Sequence, residues 1–316
     1  MTAADAPPSP PPDETDGGPA AVTPHCAIRR VTVLVNPLSG STGPRAAEQA
    51  EALLAGYDVE AQVRPLSDGR FEPQIEAALA DDPDLLVVLA GDGTARAAAG
   101  LAGPKGPLVA PLPGGTMNML PRALYGTTDW RAALRVALEE GEPLDVAGGE
   151  VDGHPFYCVA ILGSPALWAP AREAVRVRKF SLAWQYAQRA LRRAFSGRIR
   201  YSLDGGPRTS AEALALISPL ISKALEDDDG LEAAAMSPAD AAEAFRLAYH
   251  ALTSDWRHDP AVRTRKIRRA EVTARSRIPA VLDGESVLLT HRSQIRFRAQ
   301  AFRALAPRPP AEADSV

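Results

Sequence analysis

The feature that most constrains this chain is the apolar run Leu85 to Leu89, which ends in Ala90-Gly91-Asp92-Gly93-Thr94. So short an unalternated run fits a strand buried on both faces, and the small residues after it fit a turn into a helix. Such a strand needs apolar cover on each side, which an α/β layer structure with a parallel sheet supplies. The pattern recurs on either side. Val31, Val33 and Val35 form a β-branched run that stops at Asn36-Pro37, and Pro44 opens an alanine-rich helical segment to residue 55, with Gly56 placed for a left-handed close. Residues 57–64 alternate as a strand, followed by a helix over 74–80, a strand over 84–90, a helix over 94–101 and a strand over 108–112. Strands alternating with helices through residue 145 predict a parallel sheet covered on both faces.

Beyond Val146 the texture changes to short strands and glycine turns. Glu150-Val151-Asp152-Gly153-His154 and Ile199 to Leu203 before Asp204-Gly205-Gly206 read as hairpins, and residues 271–275 and 287–291 add strands. Helices are expected over Ser181 to Ala194 and Pro238 to Leu252. Residues 1 to 27 are rich in Pro, Ala, Gly and acids, which predicts a disordered tail. The expected organisation is that tail, an α/β domain over 28–146, a β-sandwich over 147–292, and a C-terminal segment over 293–316 that returns to the first domain and ends in disorder.

With 46% hydrophobic and 23% charged residues in 316, the chain can bury a full core. The net charge of −4 conceals an asymmetry: residues 1–147 hold 10 Lys and Arg against 20 Asp and Glu, and the remainder 25 against 19. A positive second half favours nucleic acid, an anionic membrane surface or a phosphorylated ligand. No basic start with an apolar stretch opens the chain, and no apolar window is long enough to span a bilayer, so a cytoplasmic protein is expected. The two cysteines, Cys26 and Cys158, lie too far apart in the sequence to suggest a disulfide framework or thiolate zinc site.

Three junctions carry the chemistry. Gly91-Asp92-Gly93-Thr94 sits where a strand becomes a helix, a place where backbone amides and the helix start favour phosphate. Asn36-Pro37-Leu38-Ser39-Gly40-Ser41 and Pro113-Gly114-Gly115-Thr116-Met117-Asn118 follow two other strands. In a parallel sheet all three loops leave the carboxyl edge, where ligands bind in open α/β folds. Neither Gly-x-x-x-x-Gly-Lys-[Ser/Thr] nor a Gly-x-Gly-x-x-Gly after the first strand is present, which disfavours a standard P-loop NTPase or Rossmann dehydrogenase. Read alone, Gly91 to Thr94 is also compatible with a tight turn and an Asp cap, and Leu282-Asp283-Gly284-Glu285 with an ordinary hairpin.

The ordered set Asn36-Pro37-x-Ser39-Gly40, Gly91-Asp92-Gly93-Thr94, Gly115-Thr116-x-Asn118 and Leu282-Asp283-Gly284-Glu285 resembles the catalytic domain of the diacylglycerol kinase and sphingosine kinase family, in its bacterial soluble form. Asp227-Asp228-Asp229-Gly230 resembles the acidic turn of bacterial members. The resemblance implies an α/β nucleotide-binding domain followed by a β-rich sandwich, with the active site in the cleft between them. It departs at Ala90, where a glycine is usual, and at Met119, where an Asp commonly follows the Asn. Cys158 and Ile161 to Ser164 match the family's corresponding strand only loosely.

What the resemblance implies is an ATP-dependent lipid kinase using Mg²⁺. Asn36, Ser39, Gly40, Gly91, Gly93, Thr94, Gly115 and Thr116 would cradle the triphosphate, with Asn118 towards the nucleoside. Asp283 would act as base on the acceptor hydroxyl with Asp92 and Glu285 beside it, and Asp92, Glu285 and Asp229 would be metal ligands. The alternatives are a NAD kinase-like enzyme and a non-catalytic nucleotide or lipid binder. The expected partner is a membrane lipid, met at the inner membrane surface, with homodimerisation left open. The basic and aromatic stretch Arg172 to Arg193 suits either a bilayer surface or a solvated helix against the core. Arg257 to Arg277 suits an exposed strand face, and no nucleic-acid module is legible.

Overall fold

The structure is a computed structural model that describes residues 21–67, 70–163, 198–222, 224–225, 229–237 and 262–308. In the first half, strands and helices alternate: β1 (Arg30–Val35), α1 (Ala46–Leu54), β2 (Glu60–Pro65), α2 (Glu72–Ala80), β3 (Leu85–Ala90), α3 (Asp92–Ala102) and β4 (Leu108–Pro113), then α4 (Met119–Tyr125) and α5 (Trp130–Glu140). β2, β1, β3 and β4 lie side by side and parallel. Every residue of β3 and β4 is buried, as an unalternated apolar run requires. Helix α1 ends differently from expectation. Ala55 closes it in a right-handed conformation with its N–H on Glu51 O, and Gly56 is not left-handed, because the next bonds, from Gly56 to Leu53 O and Tyr57 to Leu54 O, need no reversal.

The second half is strand-rich: β5 (Glu142–Val151), β6 (His154–Phe156), β7 (Val159–Gly163), β8 (Ile199–Leu203), β9 (Thr209–Ala211), β10 (Ala213–Ile217), β11 (Leu231–Met236), β12 (Val262–Ile267), β13 (Arg269–Thr273), β14 (Ile278–Leu282), β15 (Glu285–Leu289) and β16 (Arg292–Ala306). These strands follow two destinations. β16, β13, β8 and β9 extend the first sheet beyond β4, with β5 and β6 joined through β16, giving ten strands. The remaining six form an antiparallel sheet in the order β12-β11-β10-β7-β14-β15. The two sheets enclose a second core that includes Val272 and Ile295 from one and Leu162, Leu216 and Ala280 from the other.

A boundary at residue 146 falls inside β5, and the long strand β16 serves both halves. Its start pairs with β13 and buries Ile295 in the second core. Its end runs parallel to β4 at Ala304 and buries Phe302, Ala304 and Leu305 in the first. The register shift between Arg298 and Phe302 lets one strand follow both surfaces. At the other terminus, order begins before residue 28. Val22 bonds Gly56 and Asp58, and His25 N–H bonds Leu138 O, so residues 21–27 lie on the first half and are not part of a loose tail. Residues 1–20, the expected helices over 181–194 and 238–252, and the basic stretch Arg172 to Arg193 lie outside the described residues. Among those described, no helix is long and apolar enough to cross a membrane.

Candidate active site

Because β1, β3 and β4 are adjacent and parallel, the loops that follow them meet at one edge. Ser41 N–H donates to Gly114 O at 3.1 Å, Ser41 Oγ to Gly115 O at 2.9 Å, and Thr42 Oγ1 to Gly114 O at 3.2 Å. Glycine is required where the backbones touch: a Cβ on Gly115 would lie 2.8 Å from Gly91 Cα, and one on Gly114 2.7 Å from Ala90 N. Ser39 lies against Gly91 and Thr116 against Gly40, so these hydroxyls and glycines share one surface. Gly91 is the N-cap of α3 and has no side chain to occupy the first amides, which leaves the helix start suited to an anion. Thr94 is buried in that first turn.

Asp92 ties two of the loops together. Its Oδ2 accepts from Asn118 N at 2.9 Å and its Oδ1 from Met119 N at 2.7 Å, so the carboxylate caps the start of α4 from the neighbouring helix. Burial pushes its carboxyl above the usual range, and the amides pull it part of the way back. Asn118, in a left-handed conformation at φ 50°, turns onto its own loop: Oδ1 accepts from Gly115 N at 2.7 Å and Nδ2 donates to Gly115 O at 3.0 Å. In this structure the buried Asn118 amide is satisfied by the backbone of its own loop. Asn36 likewise uses Oδ1 to accept from Leu38 N at 3.0 Å, shaping the first loop.

The opposite wall of the cleft is the β14–β15 hairpin, whose turn Asp283-Gly284 has φ values of 47° and 91°, the pattern of a type I′ turn. Asp283 is 4% exposed; its Oδ2 accepts from Tyr157 N at 2.7 Å and its Oδ1 from Cys158 N and Val159 N at 2.9 and 2.8 Å. Burial raises its carboxyl, and these amides partly offset the rise. The same device recurs at Asp152, whose carboxylate accepts from Gln294 N, and at Asp204, which accepts from Arg268 and Arg269 N. In this structure Asp283 thus anchors its hairpin through three backbone amides.

Glu285 is the carboxylate that enters the cleft. A Cβ on Gly93 would sit 1.7 Å from its Oε1, so the glycine makes room for it. Arg96, one helical turn beyond Asp92 on α3, donates to Glu285 Oε2 at 2.7 Å and to Leu282 O at 3.2 Å. Its side chain is 16% exposed and spans the cleft between the first sheet's helices and the second sheet's hairpin. Met117 lies against Gly284 beside it.

Residues 30–148 match the diacylglycerol kinase catalytic domain. The matched residues take in β1 to β4 and the three loops that meet at their edge. No curated protein matches the sequence significantly. Among solved structures, the fold is similar to a diacylglycerol kinase from Bacillus anthracis strain Sterne at a TM-score of 0.66 and 16% identity, over 91% of this chain and 100% of that one. It is also similar to an NAD kinase from Archaeoglobus fulgidus in complex with ATP, at a TM-score of 0.50 and 13% identity, over 88% and 94% of the two chains.

Asp229 stands apart from the three glycine loops. Lys266 and Arg268 both pair with it, which holds its carboxyl below the usual range. Asp227 and Asp228 lie outside the described residues. Asp92 is bound by amides and Glu285 by Arg96, and no group of three His, Cys, Asp or Glu among the described residues could hold a metal ion. The described carboxylates therefore do not fit a protein-held Mg²⁺ site. Sequence reading passed over Arg96, although its i+4 spacing from Asp92 places both on one helix face. It also passed over the amides of residues 157–159, which leave no mark in side-chain identity.

Proposed function

We propose that the protein is an ATP-dependent lipid kinase that phosphorylates a hydroxyl of diacylglycerol or a related lipid. The observation that supports this best is the meeting of three glycine loops at the carboxyl edge of β1, β3 and β4, against Glu285 from the opposite sheet. The open first turn of α3, with the hydroxyls of Ser39 and Thr116, would hold the triphosphate of ATP. The acceptor oxygen then attacks the γ-phosphorus, the bond to the bridging oxygen breaks, ADP leaves and the hydroxyl proton passes to a carboxylate. Glu285 suits that last role, being 49% exposed and held by Arg96 in front of Gly93. Asp283 and Asp92 position the two walls. The lipid would be taken from a membrane surface, for which the positive second half favours anionic headgroups.

The test is transfer of radiolabelled phosphate from ATP to a total lipid extract and, in parallel, to NAD, with the labelled product identified by mass. Label in a lipid that disappears in Glu285→Gln supports the reading. Label confined to NAD would replace it with an NAD kinase, and nucleotide binding without transfer to either would leave a non-catalytic binder.

A further inference from the structure

The outer face of β13 and β16 carries arginines in an arrangement that neither strand pairing nor solubility explains. Arg269 and Arg296 stand directly opposite each other in the antiparallel register. Like charges so placed repel and weaken the pairing. The carboxylates around them are committed elsewhere: Glu271 to Arg208 and Arg292, Glu150 to Arg298, and Asp204 to the backbone amides of Arg268 and Arg269. Among the described residues, neither guanidinium of the opposed pair has a carboxylate partner, and Arg296 makes only a 3.4 Å contact with Gln294.

The pair also lies where two surface cavities adjoin. One, of about 780 Å³, is bounded by Arg269, Arg296, Arg208 and the Gly205-Gly206 turn. The other, of about 720 Å³, shares Arg269 and Arg296 and adds Phe297, Asp204, and Arg268 paired with Asp229. At Gly205 a Cβ would meet nothing within 4 Å, so the turn leaves its side of the hollow open.

We propose that this face is a binding site for a phosphomonoester, separate from the nucleotide loops. A dianion matches the two unpaired guanidiniums in charge, each guanidinium offers a fork that fits two phosphate oxygens, and the bound group would relieve the repulsion across the strands. The hollows exceed a phosphate in size and leave room for whatever carries it. That carrier is either the headgroup of a membrane lipid or a free phosphate ester, and the chemistry recognised is the same. The site goes beyond the kinase reading and stands if that reading fails.

The full chain, without nucleotide, would be titrated by calorimetry with inorganic phosphate and with glycerol 3-phosphate. It would also be sedimented with phosphatidylcholine vesicles containing phosphatidic acid or, at matched charge, phosphatidylserine. Wild type is expected to bind a soluble probe saturably, which assigns a free ester, or to prefer phosphatidic acid vesicles alone, which assigns a lipid headgroup. Replacing both arginines (R269Q with R296Q) should weaken that binding ~10- to 100-fold, the loss of one or two charge-assisted contacts. The same variant should melt at the wild-type temperature or above it, because a repulsion has been removed. Equal binding by the variant, no discrimination between the two anionic vesicles with no soluble binding, or a lower melting temperature would each overturn the site.

Discussion

The two ends of the ten-stranded sheet solve opposite problems. At the β1-β3-β4 end both faces are covered, β3 and β4 expose nothing, and the candidate site is confined to the loops at the strand ends. At the β13-β16 end one face packs on the second sheet while the other alternates outward as Arg269, Glu271 and Thr273, and as Arg292, Gln294, Arg296 and Arg298. Cover on both faces moves chemistry to an edge, whereas cover on one face leaves a charged surface free to bind. The cleft lies where the two arrangements meet, and Arg96 crosses it to hold Glu285.

The contrast can be broken at several points. The largest effect is expected for Glu285→Gln, which should lower the proposed transfer of phosphate to lipid ~100- to 10,000-fold while ATP affinity by calorimetry stays near wild type. Loss of ATP affinity instead would move Glu285 to the nucleotide side. Next, Leu86→Ala in the doubly covered half should cost ~2–5 kcal/mol in denaturant unfolding, against under ~0.5 kcal/mol for Arg200→Ala on the open face. Similar costs at both positions would remove the distinction between the two ends.

Asp283→Asn sharpens the boundary between anchor and base. One of its oxygens becomes an NH₂ facing a backbone N–H, so ~1–3 kcal/mol of stability should be lost, with turnover at a permissive temperature falling less than in Glu285→Gln. A stable variant with abolished turnover would return the base to Asp283. The smallest effect concerns pH. Burial raises the folded-state carboxyl of Asp283, so this group binds its proton more tightly folded than unfolded. Its contribution to stability is therefore greatest below the unfolded value and lost as pH rises through the folded one. The stability difference between wild type and Asp283→Asn should widen as pH falls from 7 towards the ordinary carboxylate range, and a narrowing in parallel denaturation series would refute the shift.

Much of the first half was legible because its signals are local. Leu85 to Leu89 reads as a strand with two covered faces, and glycines at the ends of three such strands mark loops that converge once the strands are parallel. Strand β16 was harder, because Arg292, Arg296 and Arg298 give its first part the look of a surface strand, while Phe302 to Ala306 find their place only beside β4 and β5. The tail was expected to end at residue 27, yet Val22 and His25 are fixed by backbone bonds that composition does not encode.

The sequence by itself determined which residues could do chemistry: the glycines of the three loops, the Asp-Gly turns, and the acids Asp92, Asp283 and Glu285. Tertiary structure alone decided how each acid is used. Asp92 found the amides of residues 118 and 119, Asp283 those of residues 157 to 159, and Glu285 a guanidinium 189 positions away. Every residue except proline carries the same backbone N–H, so a carboxylate's partners are set by where the fold brings the chain, and only a carboxylate left without amides projects into the cleft.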